Sequence, residues 1–194
     1  MTRFDAVACP GNSSERRLKM AVKKILTYPD TVLIEPAEAV TNIDGKILEF
    51  IDDMSDTMYH ASGIGLASNQ VGEPLRVIIF DTSAKDQQND LVVVINPEIV
   101  EAEGSVVSEE GCLSVIDYSA DVKRSKGITV RGLDREGNPI ILRKEGLPAI
   151  VLQHEIDHLN GILFINHISK LKRELYKRRL KKILKKREAS SKRL

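Results

Sequence analysis

Nowhere in the 194 residues does an apolar run approach the roughly 18–20 residues that a helical membrane span needs. Cysteine is equally scarce. Cys9 and Cys112 are the only two, too few for a disulfide framework, and no stretch resembles a secretory signal peptide. A reducing, cytoplasmic compartment is therefore expected, with at least one thiol free to act as a ligand. A net charge of consequence is missing too, since 29 basic residues face 28 acidic ones. That balance hides a division. Residues 170–194 carry 13 of the basic and 2 of the acidic residues, which leaves 16 basic against 26 acidic in residues 1–169. The composition is that of a globular chain with room for one full domain and hardly for two.

A complete dinucleotide-binding loop is also absent. Gly63 and Gly65 stand one residue apart, but they follow a helical stretch, and Ser68 occupies the place of the third glycine. Along the chain, residues 1–19 are polar, contain Pro10-Gly11 and Ser13-Ser14, and read as a flexible leader. A short extended piece is expected near 32–34. Ile43, Ile47, Ile51, Met54 and Met58 then recur at three- and four-residue steps, the pattern of an amphipathic helix ending near His60. A methionine stripe at that spacing is read as core. Strands are expected at 76–80, 91–96, 106–108, 128–133 and 140–143, with residues 134–138 as a hairpin loop between the last two. Because most strands lie close together ahead of one later helix, the expected class is α+β: mainly antiparallel sheets packed around that helix, followed by a C-terminal helix.

The helix in question carries the chemistry. Residues 153–158 read Gln-His-Glu-Ile-Asp-His, with Pro148 suited to a first helical turn and Asn160-Gly161 as a stop. His154 and His158 stand four apart, so both imidazoles leave one face about a turn apart. Glu155 projects ~100° round from His154. Its carboxylate can then overhang a metal held by the two histidines and act as a general base toward water.

Such a site wants a third protein ligand and one open position. A third histidine six residues after His158 is ruled out, because Phe164 stands there. Glu174 and Glu188, the only glutamates downstream of Glu155, sit among lysines and arginines and read as solvated ion-pair residues. His167 lies about 180° round the helix from His158 and beyond a glycine break. Cys112 remains. Two imidazoles and a thiolate suit Zn²⁺ or Fe²⁺ and argue against Mg²⁺ or Ca²⁺.

Taken in order, residues 63–70 (GIGLASNQ), 110–114 (EGCLS) and 153–158 (QHEIDH) resemble the three motifs of the peptide deformylases, a likeness covering about residues 20–170. The resemblance implies a hydrolase that removes the N-terminal formyl group from formyl-methionine of new polypeptides. It implies Fe²⁺, replaceable by Zn²⁺ or Ni²⁺, held by Cys112, His154 and His158. Glu155 would be the acid/base, and the Gln70 amide and Leu113 backbone N–H the oxyanion donors. By motif position Ile64, Leu147, Ile150 and Val151 are candidates for the methionine pocket, and the backbone of Gly63 to Gly65 for pairing with an extended peptide. The chain departs from the usual motifs at Ser68-Asn69, at Ile116-Asp117 and at Ser119. The rival functions are a zinc endopeptidase and an RNA-binding or ribosome-binding factor whose metal is structural or lost.

The expected domain division is a leader over 1–19, a catalytic unit over 20–169 and a basic tail over 170–194. In the tail, Ile168, Leu171 and Leu175 form one helical stripe, and Tyr176, Leu180, Ile183 and Leu184 form another ~100° away. One helix that first packs on the body and then projects away is expected. Its lysines and arginines suit ribosomal RNA phosphates, while the lack of interleaved aromatics argues against base stacking.

Overall fold

Helices cover both faces of a central sheet in the computed structural model, which describes residues 21–83 and 90–191. Residues 1–19 and Cys9 lie outside the described residues. Five strands form one antiparallel sheet in the order β1 (Gly65–Ala67), β2 (Val77–Phe80), β3 (Val92–Glu103), β6 (Gly127–Leu133), β7 (Pro139–Glu145). The remaining two, β4 (Val106–Cys112) and β5 (Val115–Arg124), make a separate antiparallel ribbon. The class is α+β, as expected. No helix among the described residues is long and apolar enough to cross a membrane.

Strand β2 explains the layering. Its four residues Val77-Ile78-Ile79-Phe80 are all buried because alternate side chains meet different helices. Val77 and Ile79 join Ile51, Met54 and Met58 of helix α1 (Gly45–His60), so the methionine stripe is core. Ile78 and Phe80 join Leu152, Ile156 and Leu159 of helix α2 (Leu147–Leu159). Strand β7, at the sheet edge, starts on Pro139, which has no N–H to give, and turns Ile140 and Leu142 to the core while Ile141 faces solvent.

Some elements differ from expectation. Residues Thr31–Ile34 form a 3-10 turn, not an extended piece, because the Asp30 carboxylate accepts from Val32 N–H and caps it. Strands β1 and β5 fall outside the expected set, and β4 runs on through Cys112. Helix α3 (Lys170–Ser191) packs through the second stripe: Tyr176 and Leu180 are buried with Val115, Val122 and Phe164. Leu171 and Leu175 of the first stripe are exposed. Ile168, the first residue of that stripe and two before the helix, is buried in the same cluster, so the helix is anchored at its lead-in and along its middle.

Candidate metal centre and active site

Helix α2 is capped at its start by Gly146, whose φ of 64° favours glycine, with Pro148 in its first turn. It ends at Asn160, and Gly161 (φ 71°) turns the chain so tightly against Ile34 that a side chain would collide with that backbone. Between these stops His154, Glu155 and His158 lie on the inner part of the helix, with Glu155 and His158 almost fully buried. Cys112 arrives from elsewhere. It pairs with Val115 across the two-residue turn Leu113-Ser114, at the tip of the β4–β5 ribbon.

These elements bring three ligand atoms, from Cys112, His154 and His158, within 4.8 Å of one another. Cys112 Sγ lies 3.1 Å from His158 Nε2. The thiolate form, the one that binds metal, has two donors facing it: Ser114 N–H at 3.4 Å and the Gln70 amide at 3.6 Å. His154 Nδ1 donates to Glu110 Oε2 at 2.8 Å, which fixes the tautomer and leaves Nε2 for a metal. Phe164, the residue that bars a histidine-only ligand set, stacks near this ring with centroids 6.2 Å apart.

Electrostatics favour a cation here. Burial and the charges of His154 and Arg124 hold His158 well below the ordinary histidine range, so its lone pair stays free. His154 behaves oppositely. Burial pushes its ring toward neutrality, but hydrogen bonds to Cys112 and Glu110 and the Glu155 carboxylate outweigh that and favour positive charge at the ring, which a metal on Nε2 would supply in place of the proton. Glu110 is lowered to about 2, because bonds from His154 and Arg124 overcome its own burial. An ionised Glu110 behind one ligand, and a soft donor set of one sulfur and two imidazoles, fit a divalent transition metal.

Glu155 faces the same space. One of its oxygens, Oε2, is buried with no hydrogen-bond partner among the described residues, and burial raises its pKa to about 7. Gly65 makes the room: a Cβ there would collide with Glu155 Oε1 and stand 2.9 Å from Val151 Cγ1. The Gln70 amide is oriented from both ends. Its oxygen accepts from Ala67 N–H at 2.8 Å and its nitrogen donates to Ser114 Oγ at 3.1 Å, so N–H is turned toward the cysteine.

A cavity of about 520 Å³ opens over this cluster. Gly63, Ile64, Gly65, Gln70, Cys112, Leu113, Leu147, Ile150, Val151, His154 and Glu155 all line it, while His158 lies beneath. Every residue singled out from the motifs thus surrounds one space. The departures have neighbours of their own. Asn69, fully buried, donates to the His158 carbonyl at 2.6 Å, Ser119 Oγ donates to Glu109 at 2.7 Å, and Asp117 takes a positive φ of 50°.

Sequence reasoning missed the supports. Arg124 of β5 is almost fully buried and grips Glu110 with two bonds, Nε–Oε1 at 2.7 Å and Nη2–Oε2 at 3.0 Å. A signal for Glu110 existed, because residues two apart on a strand share a face and Glu110 is two before Cys112. Nothing local marks Arg124.

The comparisons agree on a single family. The model of polypeptide deformylase matches residues 22–174. A curated peptide deformylase of Desulfosudis oleivorans is 53% identical over 167 residues, 86% of this chain and 96% of its own length. The crystal structure of a peptide deformylase from Legionella pneumophila superposes with a TM-score of 0.81 at 43% identity, over 87% of this chain and 98% of that one. A Met-Ala-Ser-bound class I type b peptide deformylase of Acinetobacter baumannii gives 0.74 at 33% identity, over 77% and 100%.

Proposed function

The chain belongs to the polypeptide deformylase family, metal-dependent hydrolases that remove the N-terminal formyl group from nascent peptides, and we propose that the cavity above Cys112 is where it does so. One observation carries the reading: a thiol from the ribbon and two imidazoles from α2 converge under a buried carboxylate and an oriented amide. Cys112, His154 and His158 hold the metal. Fe²⁺ is the ion proposed, with Zn²⁺ or Ni²⁺ able to replace it. When bound, such an ion supplies Lewis-acid polarisation and an acidified water.

The residues do the rest. Glu155 takes a proton from the attacking water and returns it to the leaving amine, work suited to a carboxyl raised toward neutrality by burial. The Gln70 amide and the Leu113 N–H stabilise the oxyanion; the amide needs no reorganisation, because Ala67 and Ser114 already hold it. Ile64, Leu147, Ile150 and Val151 receive the methionine side chain, and the backbone at Gly63 to Gly65 pairs with the extended peptide. The bound Met-Ala-Ser of the Acinetobacter enzyme supports a substrate of this class. Anaerobically purified protein should deformylate formyl-Met-Ala-Ser and lose activity in air in step with loss of Fe²⁺. Cleavage of internal peptide bonds instead would favour the endopeptidase reading.

Residues 20–169 form the catalytic unit and 170–194 a basic extension, in a cytoplasmic enzyme that meets its substrate at the ribosome. The exposed lysines on the outer half of α3 support binding to ribosomal RNA phosphates. Removing the helix is a poor test, since Tyr176 and Leu180 are core. Replacing Lys181, Lys182, Lys185 and Lys186 by alanine should spare activity on formyl-Met-Ala-Ser. Ribosome affinity should fall, and its log–log salt slope should flatten by roughly 0.7–0.9 for each phosphate no longer neutralised. Unchanged affinity would exclude this surface.

A further inference from the structure

The metal ligands belong to two pieces of structure that no common sheet joins. Among the described residues β4 and β5 pair with each other, while α2 lies on the five-stranded sheet. The spacing of the Cys112 thiol from the imidazoles therefore depends on side chains that cross the gap. One continuous chain of charged groups does so. From His154 Nδ1 it passes to Glu110, then to Arg124, whose Nη1 donates to Asp157 Oδ2 at 2.5 Å. His167, just after the 3-10 turn Phe164–Asn166, donates from Nε2 to the same Asp157 oxygen at 2.7 Å. The chain leaves α2 at His154 and returns three residues later, so the ribbon grips the helix at two points. Exposure rises outward, from 5% for the Arg124 and Glu110 side chains to 18% for Asp157 and 34% for His167.

We propose that Asp157 and His167 are positioning residues of the metal centre, anchoring Arg124 and through it the Glu110–His154 pair that presents an imidazole to the metal. The proposal rests on the assignment of Cys112, His154 and His158 as ligands. Its physical basis is competition for Arg124. A guanidinium held by Glu110 alone has unsatisfied N–H groups in a nearly dry site, which is costly. Released from Asp157 it turns toward water and draws Glu110 with it, and the His154 ring loses its fixed orientation. His167 holds the Asp157 carboxylate where Arg124 meets it, and its Nε2 itself stands 3.5 Å from Arg124 Nη1. Neither residue touches the substrate cavity.

Cobalt(II) affinity, measured by competition with a chelator, tests this apart from activity, and the visible absorption of the bound ion reports the coordination geometry. Removing the direct partner of a ligating histidine typically weakens metal binding ~10–100-fold. Asp157→Asn, one step removed, should cost about 10-fold, and His167→Phe about 3- to 10-fold, each with an altered cobalt spectrum. His167→Gln should restore affinity, because its amide nitrogen stands the same number of bonds from Cα. Unchanged affinity and spectrum in both Asp157→Asn and His167→Phe would overturn the proposal. So would an equal loss in His167→Phe and His167→Gln that follows a lowered melting temperature of the metal-free protein. His154→Ala is the control: if it binds cobalt as tightly as the unsubstituted protein, the ligand assignment itself fails, and the proposal with it.

Discussion

Glu155→Gln should slow deformylation of formyl-Met-Ala-Ser by about 10²–10⁴-fold, the usual worth of a general acid/base, while leaving the bound metal in place. Glutamine fits the space that Gly65 leaves beside the side chain, but it neither accepts the proton of the attacking water nor returns one to the amine. Steady-state kinetics with metal analysis of the same samples checks both halves. Full activity in the variant would remove Glu155 from the mechanism. The carboxyl also gives a pH dependence. Burial raises it from an ordinary 4.5 to about 7, so the base form is lost, and the rate falls, as pH drops through its midpoint. In the loaded enzyme that midpoint lies below 7, because positive charge favours the carboxylate. Stability moves the other way. Between about 4.5 and 7 the folded metal-free protein binds more protons than the unfolded chain, so stability is greatest below the unfolded pKa and falls as pH rises through the folded one. The loss is of order 3 kcal/mol, at ~1.4 kcal/mol per unit. Urea unfolding of the metal-free protein at pH 5 and pH 8 should show this for Glu155 and not for glutamine.

The catalytic helix was legible because everything it needs is local. Two histidines one turn apart, a proline at the start and Asn160-Gly161 at the end are read from the fourteen consecutive residues 148–161. Cys112 required reasoning by elimination, since a lone cysteine at the end of a strand carries no period. Strand β5 escaped for a different reason. Its residues Asp117, Ser119, Asp121 and Lys123 favour turns or solvent, and only its pairing with β4 makes it a strand. Glu109-Glu110-Gly111 likewise disguised the inner half of β4. A buried glutamate there makes sense only within reach of the Arg124 side chain, fourteen residues on, and that contact exists in the folded ribbon alone. In α3 both apolar stripes were visible. Which of them faces the body depends on where Val115, Val122 and Phe164 stand, and this the helix's own sequence does not encode.

Arg124→Leu should cost about 3–5 kcal/mol of stability, the range for breaking a buried ion pair by removing one partner. The Arg124 side chain is 5% exposed and meets two carboxylates; deleting it strands Glu110 in a site where burial disfavours its charge. Lysine is no substitute, because a single ammonium does not reproduce the two-bond fork to Glu110 while also reaching Asp157. Arg124→Lys should therefore fall between leucine and the unsubstituted protein. The pH dependence gives the sign. In the folded protein Glu110 is depressed to about 2, so its pairing stabilises above the unfolded pKa near 4.5 and is lost as pH falls toward 2. Without Arg124 the carboxyl moves up. The deficit of the leucine variant should then be largest near pH 7 and shrink below pH 4, as urea unfolding across that range would show. Metal binding should weaken in the same variant by about the 10–100-fold seen when a ligating histidine loses its carboxylate, since Glu110 no longer has a fixed place. A leucine variant that stays as stable as the unsubstituted protein at pH 7 would mean that the ribbon is held to the body by the packing of Val115 and Val122 with Phe164, Tyr176 and Leu180, and not through charge.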